Sequence, residues 1–204
     1  MISIVYFDKT KKNFHSFSDI DLDDDTIFEI DCSNCGLNTI PKLPKRLVRL
    51  WCNRNKIQYL PELPDTLSLL FCSYNRLESL PRLPESMVEL WCDNNNLRSL
   101  PELPRNLFQL VCSKNLLRRL PDLCCLVVLY CDDNNLERIG VIPDTLQTVS
   151  CSRNKITEIE KIGKNLDILV CDDNLLLSLP KSYENIKELY TRNNPCSPEF
   201  KLNI

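Results

Sequence analysis

Apolar positions recur along this chain with a period far longer than one helical turn or one strand alternation. From about residue 26 the pattern L-x-x-L-x-C-x-x-N-x-L-x-x-L-P-x-L-P repeats every twenty residues. Its second copy is Leu47, Leu50, Cys52, Asn55, Ile57, Leu60, Pro61, Leu63 and Pro64. The cysteine slot is filled by Cys32, Cys52, Cys72, Cys92, Cys112, Cys131, Cys151 and Cys171, one interval being nineteen, and Thr191 takes the ninth slot. Three residues later stand Asn55, Asn75, Asn95, Asn115, Asn134, Asn154, Asn174 and Asn194, with Cys35 in the first unit. A fixed period of this size marks a stack of like structural units.

Each unit predicts its own elements. Leu50-Trp51-Cys52 alternates as a strand does, with Leu50 and Cys52 facing inward and Trp51 outward. The asparagine ends the strand, and its side chain can satisfy turn backbone groups. The Leu-Pro-x-Leu-Pro segment cannot be helix, because proline lacks a donor and biases its predecessor to extended geometry. The expectation is a solenoid with a curved parallel sheet on its concave face. The convex side would be extended, polyproline-like or 3-10, with little α-helix. Residues 1–25 read as an N-terminal cap, 26–197 as about nine units, and 198–204 as a C-terminal tail. Units six and seven replace the first proline by Gly140 and Glu160, and unit seven the second by Gly163. A less regular convex side is expected there.

The repeat resembles the twenty-residue leucine-rich repeats of secreted effectors from enteric pathogens. It is also similar to leucine-rich repeat proteins encoded by giant DNA viruses, which the absence of alanine brings to mind. The resemblance covers nearly the whole chain. It implies protein or peptide binding on the concave face, and carries two alternatives: a substrate-recognition subunit of a ubiquitin-ligase-like effector, or a structural virion component. Some such effectors carry a Cys-x-Asp nucleophile. Cys131-Asp132-Asp133 and Cys171-Asp172-Asp173 match that tripeptide, but both cysteines fall on the inward slot of the repeat.

Of the 204 residues 43% are hydrophobic and 26% charged, with a net charge of −3. That balance lacks the basic stripe of a nucleic-acid binder. No apolar run approaches the roughly 18 residues of a membrane span. The apolar start is broken by Asp8, Lys9, Lys11 and Lys12, unlike a signal peptide. These features predict a cytoplasmic protein, in a host cell if the effector resemblance extends so far, with neither nucleic acid nor membrane as partner. One histidine, no Gly-rich phosphate loop and no His-Glu motif leave no catalytic constellation, cofactor or metal site to predict. A non-enzymatic scaffold is expected.

Three readings compete for the cysteines. Disulfides are disfavoured because side chains on parallel in-register strands point the same way. A zinc site at Cys32 and Cys35 would need two further ligands. Small buried hydrophobes remain the favoured reading. The vicinal pair Cys124-Cys125 sits at the irregular unit and is read as a local slip of the repeat.

Function should lie where the scaffold leaves residues free. The position before the cysteine holds Trp51, Phe71, Trp91 and Tyr130, predicted as an outward aromatic stripe. Contiguous exposed aromatic surface marks interaction sites. Arg49 and Arg54 flank Trp51. Tyr74, Asp93, Asp132, Asp133, Asp172 and Asp173 extend the candidate surface along the rim, grading from basic toward acidic. That gradient suggests an extended polypeptide or a charged protein surface as ligand.

Overall fold

The structure is a computed structural model that describes residues 1–123 and 125–196. The expected tail, 198–204, and Cys124 lie outside the described residues. A hairpin comes first, β1 (Ile2–Tyr6) and β2 (Lys11–Phe14). Each repeat then contributes one short strand: β3 (Ile27–Asp31), β4 (Arg49–Trp51), β5 (Leu69–Phe71), β6 (Glu89–Trp91), β7 (Gln109–Val111) and β8 (Val128–Tyr130). The rest of the series is β10 (Thr148–Ser150), β12 (Ile168–Val170) and β13 (Glu188–Tyr190). These nine strands pair in parallel, and we number them as rungs one to nine. With the hairpin antiparallel on rung one they form a single eleven-stranded sheet.

The register follows the repeat. Leu50 pairs with Leu70, Leu70 with Leu90, and Trp51 with Phe71. Every ladder cysteine in slots one to eight is buried with zero exposure, beside leucines and isoleucines such as Leu47, Leu50 and Ile57. The core is thus a set of columns running along the solenoid, and the cysteines are one of them. Their side chains are small enough for strands to stack at about 4.8 Å.

The second proline of each return segment begins a tight turn, as when Leu67 N–H donates to Pro64 O at 3.0 Å and Met87 N–H to Pro84 O at 3.0 Å. Among the described residues helix is confined to two short 3-10 segments, Phe17–Asp19 and Lys181–Asn185. The first is closed by a capping box between Ser16 and Asp19.

One expectation is reversed. Units six and seven are more regular on the convex side. There β9 (Arg138–Val141) and β11 (Glu158–Lys161) pair in parallel as a separate two-stranded sheet. The prolines are the reason. Pro61, Pro81, Pro101 and Pro121 have no N–H to give a neighbour, whereas Gly140 and Glu160 restore the donor. Just past β9, Ile142 N–H also reaches Lys161 O at 2.9 Å.

Candidate functional site

Three backbone-directed devices hold the strand ends, and together they decide which side chains stay available. The first is the asparagine column. Asn115 Nδ2 donates to Cys92 O and Cys112 O, both at 3.0 Å, while its Oδ1 accepts Leu97 N–H at 3.0 Å. Asn55, Asn95, Asn134, Asn154, Asn174 and Asn194 repeat the donations to both carbonyls.

The second device is the residue after the cysteine. Asn53 Oδ1 accepts Ser73 N–H at 2.8 Å, Asp132 Oδ1 accepts Ser152 N–H at 2.8 Å, and Asp172 Oδ1 accepts Arg192 N–H at 2.7 Å. The third is backbone conformation. The residue two after each slot is left-handed: Asn34, Arg54, Tyr74, Asn94, Lys114, Asp133, Arg153, Asp173 and Asn193 all have φ between 53° and 57°. Sequence reasoning missed this, although Asn and Asp fill five of the nine positions, and those types tolerate positive φ best.

These devices reassign several candidate residues. Asp132 also accepts Ser150 Oγ at 2.6 Å, so its carboxylate serves the turn. Asp93 accepts the Ser73 hydroxyl and Asn94 Nδ2. Asp133 is gripped by Arg153 through Nε at 2.6 Å and Nη2 at 2.7 Å, which holds its carboxyl below the usual carboxylate range. Asp173 accepts Asn193 Nδ2 at 2.7 Å. The four C-terminal aspartates therefore line one rim and are engaged within it. At the other end Arg49 lies 3.7 Å from Glu29 and over the Phe28 ring, and Arg54 lies over Tyr74.

The concave floor itself has two columns. The one before the cysteine runs Asp31, Trp51, Phe71, Trp91, Val111, Tyr130, Ser150, Val170, Tyr190, and the one two residues earlier runs Glu29, Arg49, Leu69, Glu89, Gln109, Val128, Thr148, Ile168, Glu188. Trp51 stacks on Phe71 with centroids 5.6 Å apart, and Phe71 meets Trp91 edge-on at 5.1 Å. The structure thus brings the stripe together but spends its first two rings partly on each other, leaving Trp51 and Phe71 half-buried.

Exposure is greater further along. Trp91 is 39% exposed, Tyr130 37%, Val88 37% and Phe108 47%. Val88 and Phe108 belong to a flanking column, four residues before the cysteine, that also holds Phe28, Val48 and Val127. That column was legible as an apolar run at constant offset, and sequence reasoning passed over it. Exposed or half-buried apolar side chains therefore gather on rungs four to six, Trp91, Val111, Val128 and Tyr130 on the floor and Val88 and Phe108 along its flank.

Covalent chemistry has no support in the ladder. Burial pushes the Cys131 thiol well above its ordinary value and Cys171 up to about 12. A thiolate nucleophile needs the opposite shift and access. Among the described residues no cluster of three or more His, Cys, Asp or Glu side chains could hold a metal ion. No helix among them is long and apolar enough to cross a membrane.

Comparison with protein-family models finds no match, and neither does comparison with curated proteins. Solved structures do match. YopM, a leucine-rich effector protein from Yersinia pestis, is 30% identical with a TM-score of 0.76 over 81% of this chain and 49% of its own. The leucine-rich repeat domain of a Shigella effector is 29% identical with a TM-score of 0.64, over 75% of this chain and 70% of that one. The functional domain of InlJ from Listeria monocytogenes, which includes a cysteine ladder, shares the fold at 22% identity and a TM-score of 0.60, over 87% of this chain and 46% of that one. This chain spans about half the length of the Yersinia protein. Repeat, sheet and structural likeness agree that the chain is a leucine-rich repeat protein.

Proposed function

We propose that this protein is a non-enzymatic binding scaffold that docks another protein on its concave face. The observation that carries the reading is the exposed apolar surface of rungs four to six, with Trp91 and Tyr130 on the floor and Val88 and Phe108 along its flank. Large rings held on a rigid sheet lose little conformational freedom on binding and supply the anchors that dominate interfaces. Trp51, Phe71 and Arg49 extend the surface toward rung two. Asp93, Asp132, Asp133, Asp172 and Asp173, with Arg54 and Tyr74, form its polar rim. The likeness to a leucine-rich effector from Yersinia pestis supports a role of the same class.

The test is capture of partners from the native cell by the wild-type protein, by Trp91→Ala with Phe108→Ala, and by the convex-face change Arg82→Ala. A partner retained by Arg82→Ala and lost by the double change supports the reading. A partner held equally by all three would remove the concave patch from it.

A further inference from the structure

Every strand under the concave floor, from β3 to β12, is paired on both sides, and the free edges of the main sheet are β2 and β13 at its two ends. An extended peptide laid across the floor therefore finds no backbone partner. Its own N–H and C=O groups would be buried unsatisfied against apolar side chains, at a cost of about 1–3 kcal/mol each. A helix satisfies its backbone internally and offers an apolar stripe.

The dimensions agree. Successive rungs lie about 4.8 Å apart, close to the ~5.4 Å pitch of a helix, so a helix along the solenoid presents roughly one turn per rung. Rungs three to eight span about 24 Å, the length of about 16 helical residues.

The charge pattern specifies the helix further. Across rungs three to eight the two floor columns read Leu69, Phe71, Glu89, Trp91, Gln109, Val111, Val128, Tyr130, Thr148, Ser150, Ile168 and Val170. Glu89 is the one charge among these twelve residues. It sits half-buried beside Trp91 on β6, and no ion pair among the described residues involves it. Arg49, the basic residue of the floor, lies two rungs from Glu89 and faces Glu29 on the adjacent rung. A bound partner that covers Glu89 must answer its charge, since an uncompensated buried carboxylate is costly.

Resting on the concave-face reading above, we infer that the partner presents an amphipathic helix whose apolar stripe carries a lysine or arginine opposite Glu89. This ligand differs from the extended polypeptide or charged surface that the sequence suggests. The aspartates that suggested a charged polypeptide are engaged at the rim, and the floor asks for an uncharged stripe with one cation.

The probes are three synthetic helical 18-residue peptides. They share one leucine- and phenylalanine-bearing stripe and have Lys, Leu or Glu at its central position. A fourth repeats the Lys peptide with two prolines that forbid helix. Fluorescence anisotropy on the full chain should show the Lys peptide binding roughly tenfold or more above the Glu peptide, as expected for a close charge pair at an interface. The proline peptide should not bind. Glu89→Lys should reverse the order of the Lys and Glu peptides, and Glu89→Gln should erase it, with each variant's fold checked by circular dichroism. An order unchanged by Glu89→Lys, equal binding of the proline peptide, or no binding by any peptide would overturn the inference. The proposed function is judged separately, by whether Trp91→Ala with Phe108→Ala releases a native partner.

Discussion

Asn115 binds the carbonyl of Cys92, one rung back, at the same 3.0 Å as the carbonyl of its own rung's Cys112. One side chain thus ties two strand ends together and accepts the Leu97 N–H as well. Replacing it by leucine orphans the buried Leu97 N–H and takes one donor each from Cys92 O and Cys112 O, which keep Asn95 and Asn134 as partners. Asn115→Leu should lower stability by about 1–3 kcal/mol, the cost of one orphaned buried group. Urea unfolding of the variant against wild type measures this, and a loss below that of an exposed control such as Asn96→Leu would refute it.

The left-handed column makes a prediction of opposite sign. Lys114 holds φ at 55° without the short polar side chain that eases that conformation. Lys114→Asn should stabilise the protein by about 0.5–1 kcal/mol, a fraction of the ~1–2 kcal/mol cost of left-handed geometry. Thermal unfolding should show a higher midpoint, and a lower one would contradict the strain argument.

The difference between these two sites shows what the sequence could reveal. Cys52 and Asn55 were readable because period and residue type both point to a role at a fixed slot. The conformation of Lys114 was masked, because its slot takes asparagine or aspartate at five of nine positions but lysine, arginine and tyrosine at the others. The sheet of β9 and β11 was misjudged for a related reason. Loss of a proline looks like loss of pattern, yet at Gly140 it restores a hydrogen-bond donor. Among candidate site residues, Trp91 and Tyr130 were correctly placed outward. Asp132 was unreadable as a turn residue, because its acceptor role depends on Ser150 and Ser152 one rung away.

Alkaline stability follows from the thiols. Burial raises Cys32 from its ordinary 9.0 to about 12, and Cys52, Cys72, Cys92, Cys131 and Cys151 well above 9.0. A raised folded-state value means the unfolded chain loses protons first. Stability is therefore intact below about pH 9 and falls as pH rises from there toward 12. Each such thiol steepens the fall by up to about 1.4 kcal/mol per pH unit. Circular dichroism across that range should show cooperative unfolding, and replacing Cys52, Cys72 and Cys92 together by valine should make the dependence shallower. An unchanged slope would mean the ladder does not titrate with unfolding.

Gly163 is the one glycine that packing demands. A β-carbon there would lie 2.6 Å from Pro143 C and 2.8 Å from Asp144 N, both backbone atoms of the neighbouring rung. Gly163→Ala should destabilise by about 2 kcal/mol, within the range for forced overpacking. Gly140→Ala, where the nearest atom is a Glu160 side-chain oxygen at 3.9 Å, should be close to neutral. Equal effects of the two changes would count against the close approach.

Because each asparagine reaches back a single rung, every unit settles its polar groups with its immediate neighbours alone. Interior rungs are consequently interchangeable parts. A twenty-residue duplication inserted between rungs three and four would meet the same carbonyls and the same leucines it left, and the binding floor would lengthen by one strand. Reach along the partner is a dimension this architecture can adjust by whole steps, without redesign of its core.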